Sequence, residues 1–154
     1  MALSDKLTWS HLNRLQLGKY AEYIAKMEFV RCGCDVFTAE VDDHGIDLVV
    51  RTRQGNHYDI QVKSFRPQTG YVFLQKTKFS IHPSSLLVLV QFINGEPPTL
   101  YLVRSCVGND SNCPNPILKG RDYDPTEWGL TLSKKNLVAL AQDCSFQAVV
   151  GSLE

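Results

Sequence analysis

The sequence shows no apolar run long enough to cross a bilayer, no internal repeat and no low-complexity tract, and no export-type leader is expected. It also lacks a Gly-rich phosphate loop, a nucleophile elbow and any cofactor-binding motif, so nothing supports a small-molecule enzyme. An excess of one charge is missing too. Its 16 Lys and Arg balance 16 Asp and Glu, a formal net charge of +0, whereas a protein held to nucleic acid by bulk attraction alone carries surplus cations. The cysteines, Cys32, Cys34, Cys106, Cys113 and Cys144, are odd in number and contain no Cys-x-x-Cys unit. A reducing, cytoplasmic setting suits them, and no membrane partner is expected. Cys-x-Cys is a poor chelate spacing, so small buried hydrophobes are expected in preference to a zinc site built from Cys32, Cys34, Cys106 and Cys113.

What is present fits one core. With 154 residues and 44% hydrophobic content, residues 1–154 are expected to form a single domain. Leu17, Tyr20, Ala21, Ile24, Met27 and Val30 recur at three- and four-residue steps, which predicts an amphipathic helix from Trp9 or Asn13 to Arg31, ended by Gly33. Gly18 and Glu22 share one face of it. A strand is expected over residues 35–41 and another over Tyr71–Gln75. The near-continuous apolar run Ser85-Leu86-Leu87-Val88-Leu89-Val90-Gln91-Phe92 reads as a strand covered on both faces, with residues 99–103 as its hairpin partner after Asn94-Gly95-Glu96. Residues 76–81 are a short candidate crossover helix. Residues 105–127 carry no periodicity, and Ser133 caps a last helix over residues 134–142. The expected architecture is α/β, a mixed central β-sheet flanked by helices.

Chemistry concentrates in one hairpin. In Gly45-Ile46-Asp47-Leu48-Val49-Val50 a single carboxylate adjoins an apolar strand, and an unpaired carboxylate there costs free energy. In Tyr58-Asp59-Ile60-Gln61-Val62-Lys63 strict alternation sets Asp59, Gln61 and Lys63 on one face. Asp42, Asp43 and His44 read as turn chemistry ahead of the first strand. The Gly55-Asn56 pair marks the turn. A three-residue loop at Gln54, Gly55 and Asn56 would oppose Asp47 to Lys63 and Val49 to Gln61; an odd-numbered loop or a β-bulge is required for Asp47, Gln61 and Lys63 to meet. From Ile60 to Gly95 there is no acid, while Lys63, Arg66, Lys76 and Lys78 interleave with Phe65, Tyr71, Phe73 and Phe79, a basic flank beside the hairpin.

Gly18-Lys19-Tyr20-Ala21-Glu22, then Asp47, then Gln61-Val62-Lys63 resembles the PD-(D/E)XK nuclease superfamily in the order helix acid, strand acid, hairpin lysine. That superfamily, with its restriction-endonuclease-like core, includes restriction enzymes, Holliday junction resolvases and some homing endonucleases. The resemblance implies that Glu22, Asp47, Gln61 and Lys63 are catalytic, with Asp47, Gln61 and Glu22 around Mg²⁺, or Mn²⁺ in its place. Gln61 stands where most members carry an acid, and a few homing endonucleases share that glutamine. Lys19, Arg66, Lys76 and Lys78 are the expected DNA contacts. The implied activity is site-specific cleavage of double-stranded DNA, of homing or restriction type, by a homodimer or homotetramer. The alternatives are a noncatalytic DNA-binding or assembly domain of the same shape, and a Holliday junction resolvase.

Overall fold

The computed structural model describes residues 7–41, 44–105 and 126–153, together with the backbone of 119–120. It opens on helix α1 (Arg14–Arg31), whose N-cap Asn13 accepts from the Gln16 amide while the Gln16 side chain accepts from the Asn13 amide. Two of the helix's orphan donors are thereby satisfied. At the other end Gly33 takes φ +85°, and the amides of Gly33 and Cys34 donate to the carbonyls of Val30 and Phe29. This left-handed closure is the reason the helix stops at a glycine. The buried face of α1 is Leu17, Ala21, Ile24, Ala25 and Phe29. Tyr20, Met27 and Val30, expected in the apolar stripe, are exposed.

The strands that follow are β1 (Asp35–Phe37), β2 (Leu48–Arg51), β3 (His57–Phe65), β4 (Tyr71–Gln75), β5 (Ser85–Gln91) and β6 (Thr99–Arg104). Beyond them come β7 (Lys119–Gly120), β8 (Glu127–Thr131), α2 (Lys134–Asp143) and α3 (Phe146–Gly151). A five-stranded sheet runs in the order β1-β2-β3-β5-β6, and a three-stranded sheet in the order β4-β8-β7. Only the β3–β5 pair is parallel.

β5 explains the layering. Its Leu86, Val88 and Val90 pack with α1 and α3 on one side, while Leu87 and Leu89 pack with β4, β8 and α2 on the other. The run is apolar at every position because both faces are covered. The helices expected around the sheet are therefore α1 and α3 on one face, and on the other a second small sheet joined by α2.

Several expectations change. Residues 76–78 form a turn, and no helix occupies 76–81. Gly45, at φ +76°, would carry a Cβ only 2.6 Å from Lys78 Cβ, so a side chain there would push this turn away from the hairpin. The first strand ends at Phe37, short of residue 41. Asp42, Asp43, Cys106, Cys113 and most of residues 105–127 lie outside the described residues. Cys34 and Cys144 are buried as small hydrophobes and Cys32 is part-buried, and burial pushes the Cys144 thiol up to about 11. No helix among the described residues is long and apolar enough to cross a membrane.

Candidate functional site

β2 and β3 pair with Leu48 opposite Ile60 and Arg51 opposite His57, leaving residues 52–56 as the loop. The stretch is odd in length, and a further rung from Thr52 to Asn56 leaves a three-residue turn at 53–55, one position earlier than the expected 54–56. The register differs by two residues from that expectation, so that Val49 faces Asp59 in place of Gln61. The closing geometry explains the length: the Thr52 amide donates to the Asn56 carbonyl at 2.9 Å and the Gly55 amide donates to the Thr52 carbonyl at 2.9 Å, one turn nested inside one more ladder rung.

Asp47 does not continue the regular ladder. Its amide donates to the Ile60 carbonyl at 2.9 Å, although Leu48 is the residue opposite Ile60. Two residues thus oppose one, the arrangement of a β-bulge, which re-aims the side chain. The Asp47 carboxylate accepts from the Val62 amide at 2.7 Å, standing in for the carbonyl that a longer β2 would supply. The acid is consequently fixed against the peptide link between Gln61 and Val62.

β3 holds the next two groups. Ile60 and Val62 enter the core under α1, so alternation turns Gln61 and Lys63 the other way. Gln61 Oε1 is buried and has no hydrogen-bond partner, a state that native structures rarely leave unexplained. Gln61 borders a cavity of about 210 Å³ shared with Gly45, Asp59, Lys78 and Ser85. Burial pulls the Lys63 ammonium below its ordinary 10.5, opposed by the charge of Asp47 and reinforced by the cations of Lys78 and Arg14. Lys63 therefore feels all three of those charges.

α1 supplies the opposite wall. Glu22 pairs with Lys19 at 2.5 Å, and that contact, with a smaller contribution from Asp47, raises the Lys19 ammonium above its ordinary 10.5. The Glu22 carboxylate is taken up by Lys19, the residue that feels Asp47, in a solvent-facing pair of a kind worth well under ~1 kcal/mol. Arg14, absent from the sequence reading, belongs here; it precedes Gly18 and Glu22 at successive four-residue steps on the same helical face.

The remaining basic residues divide. Lys78 lies over Gly45 and within electrostatic reach of Lys63. Lys76 stacks on the Trp128 ring, 4.2 Å from its centroid. Arg66 is turned inward, where its Nη2 donates to the carbonyls of Trp9 (2.9 Å) and Leu12 (2.6 Å) and so fastens the entry to α1.

The donor set can be weighed against a divalent cation. No cluster of three or more His, Cys, Asp or Glu able to hold a metal ion occurs among the described residues. A hard cation held by one carboxylate, one amide oxygen and substrate phosphate is compatible with this set, because Mg²⁺ takes oxygen ligands and keeps several waters. The unsatisfied Gln61 Oε1 is the atom that fits.

Against solved structures the chain matches Hjc, a Holliday junction resolvase from Archaeoglobus fulgidus, with TM-score 0.58 and 9% identity over 89% of this chain and 98% of that one. It also matches a bacterial homing endonuclease, with TM-score 0.51 and 16% identity over 91% of this chain and 93% of that one. The fold is restriction-endonuclease-like. No family model and no curated protein matches the sequence. Within this restriction-endonuclease-like framework the β2–β3 fork carries Asp47, Gln61 and Lys63, with Lys19 of α1 in electrostatic reach of Asp47 and Lys78 of the turn at 76–78 in reach of Lys63.

Proposed function

We propose that the chain is a Mg²⁺-dependent endonuclease that hydrolyses phosphodiester bonds in double-stranded DNA at the β2–β3 fork. The observation that carries this reading is the buried, unpartnered Gln61 Oε1, on the residue just before the amide that holds the Asp47 carboxylate. The folds of a junction resolvase and a homing endonuclease support it.

Asp47 and Gln61 would hold the cation, with Glu22 adding a water-mediated contact once released from Lys19. A bound Mg²⁺ supplies Lewis-acid stabilisation of the phosphate and acidifies an attacking water. Lys63, partly desolvated, gives up its proton more readily than an exposed lysine, which suits it to receive or relay the proton of that water. Arg14, Lys19 and Lys78 offset charge on the phosphate and its neighbours. Because Gln61 is neutral, the site attracts a cation with one unit of charge fewer than two carboxylates would, so tight metal binding awaits the DNA phosphate. Arg66 acts through α1 and makes no phosphate contact in this reading. Cutting both strands calls for a homodimer or homotetramer, one site per strand.

The test is nicking of a supercoiled plasmid carrying genomic target sequences. Cleavage is expected with Mg²⁺ or Mn²⁺, is lost in EDTA, and falls by about 10²-fold or more in Asp47→Asn. Gln61→Glu is expected to retain cleavage and to bind Mn²⁺ more tightly without DNA. Absence of nicking on plasmid and on four-way junctions alike, with unaltered DNA binding in Asp47→Asn, would favour a noncatalytic DNA-binding domain. Cleavage confined to the junctions would make it a resolvase.

A further inference from the structure

We propose that the groove lined by Lys63 and Phe73 receives a nucleobase of the substrate strand that has left the helical stack. The inference rests on the nuclease reading of Asp47, Gln61 and Lys63 and adds to it the kind of nucleotide held beside the scissile phosphate.

β2 ends its pairing at Ile60, while β3 continues to Phe65 with β5 alone beside it. Along the uncovered edge lies a groove of about 600 Å³ whose walls include Arg14, Gly18, Lys63, Gln68, Tyr71 and Phe73. That volume is in the range of cavities that enclose a small planar ligand. An intact duplex offers only base edges, within its own grooves, and no aromatic face that a concave site can cover.

Val72 and Leu74 point into the core, yet Phe73 between them is 44% exposed. Its partner across the ladder is Gly129, and a Cβ on Gly129 would fall 1.4 Å from Tyr71 Oη. The missing side chain makes room for the hydroxyl end of the Tyr71 ring over Gly129, beside the part-exposed Phe73. Base stacking on such a ring is indifferent to sequence because every base has a π-face.

Charge fits the same occupant. Lys63 Nζ stands 5.8 Å from the Phe73 centroid and also lines the groove, so one cation borders both the ring and the carboxylate of Asp47. A base stacked on Phe73 keeps its own phosphate within reach of Lys63 and Arg14, and the exposed Gln68 amide offers a donor and an acceptor to a base edge. Gly18 leaves the α1 side unobstructed, with nothing within 4 Å of a Cβ built there.

The experiment compares, in Ca²⁺, the affinity of the full chain for a paired duplex and for the same duplex with one bulged nucleotide. The protein is expected to prefer the bulged DNA by about tenfold or more. Phe73→Ala should erase the preference while keeping paired-duplex affinity, and Phe73→Trp should preserve it; Gln68→Ala, on an exposed side chain, serves if Phe73→Ala does not fold. Equal affinity of the unaltered protein for both DNAs, or an equal loss on both in Phe73→Ala, overturns the proposal. A bulge preference without nicking of any DNA would sink the nuclease reading and leave the base-holding groove. Nicking without the preference would do the reverse.

Discussion

Burial, with the cations of Lys78 and Arg14, outweighs the attraction of Asp47 and pulls the Lys63 ammonium below its ordinary 10.5. The sign follows from linkage. A lysine whose folded value lies below its unfolded 10.5 weakens the fold at neutral pH, and stability recovers as pH rises from the folded value toward 10.5. Lys63→Met is therefore expected to abolish cleavage and to raise the melting temperature at pH 7, with the gap narrowing toward pH 10.5; a lower melting temperature at pH 7 would contradict the desolvation argument. Arg66 behaves oppositely. Its guanidinium serves two carbonyls at the entry to α1, so Arg66→Ala should lose about 1.5–3 kcal/mol in denaturant unfolding without changing the salt dependence of DNA binding. At this scale the sequence singled out Asp47, Gln61 and Lys63 as candidates, because alternation and an acid at the edge of an apolar strand are local signals. It could not separate Arg66 from Lys78. Both are basic residues in an acid-free stretch, and only the fold turns one toward carbonyls and the other toward the site.

Among the elements, α1 carries the sharpest opposition between stability and function. Gly18 sits mid-helix, where glycine costs about 0.5–1 kcal/mol relative to alanine, and no neighbour would meet its Cβ. Gly18→Ala is expected to stabilise the protein by that amount and to weaken DNA binding by narrowing the groove; unchanged binding would show that the DNA does not pass this point. The boundaries of α1 were readable from Asn13 and Gly33, whose capping chemistry is local, and β5 from its uninterrupted apolar run. The pairing of β2 with β3 was legible in its parity but not its register, because Thr52 and Asn56 close one more rung than the Gly55-Asn56 signal discloses. β8 was missed. Its partner β4 lies some 55 residues away in sequence, with Tyr71 opposite Thr131, and Gly129 interrupts any alternation. α3 has only 6 residues, too few to show a helical period. The turn at residues 76–78 depends on Gly45 making room for Lys78, a contact that no local pattern announces.

For the whole molecule, a net charge of +0 had argued against a nucleic-acid partner, yet the cations near Asp47 come from elements far apart in sequence: Arg14 and Lys19 on α1, Lys63 on β3, and Lys78 on a turn. Uneven distribution replaces excess. Binding to DNA should therefore show a modest salt slope, and Lys78→Ala or Arg14→Ala should each reduce the log–log slope by about one, as fluorescence anisotropy across a salt series will read. No change in slope for either variant would remove those residues from the phosphate path. The most direct measurement is an anomalous difference map from crystals grown with Mn²⁺ and an oligonucleotide duplex. The account predicts a manganese peak about 2.0–2.3 Å from both an Asp47 carboxylate oxygen and Gln61 Oε1, with a backbone phosphate oxygen completing the set. A peak elsewhere, or a DNA-bound structure in which Gln61 Oε1 faces no cation, would contradict it.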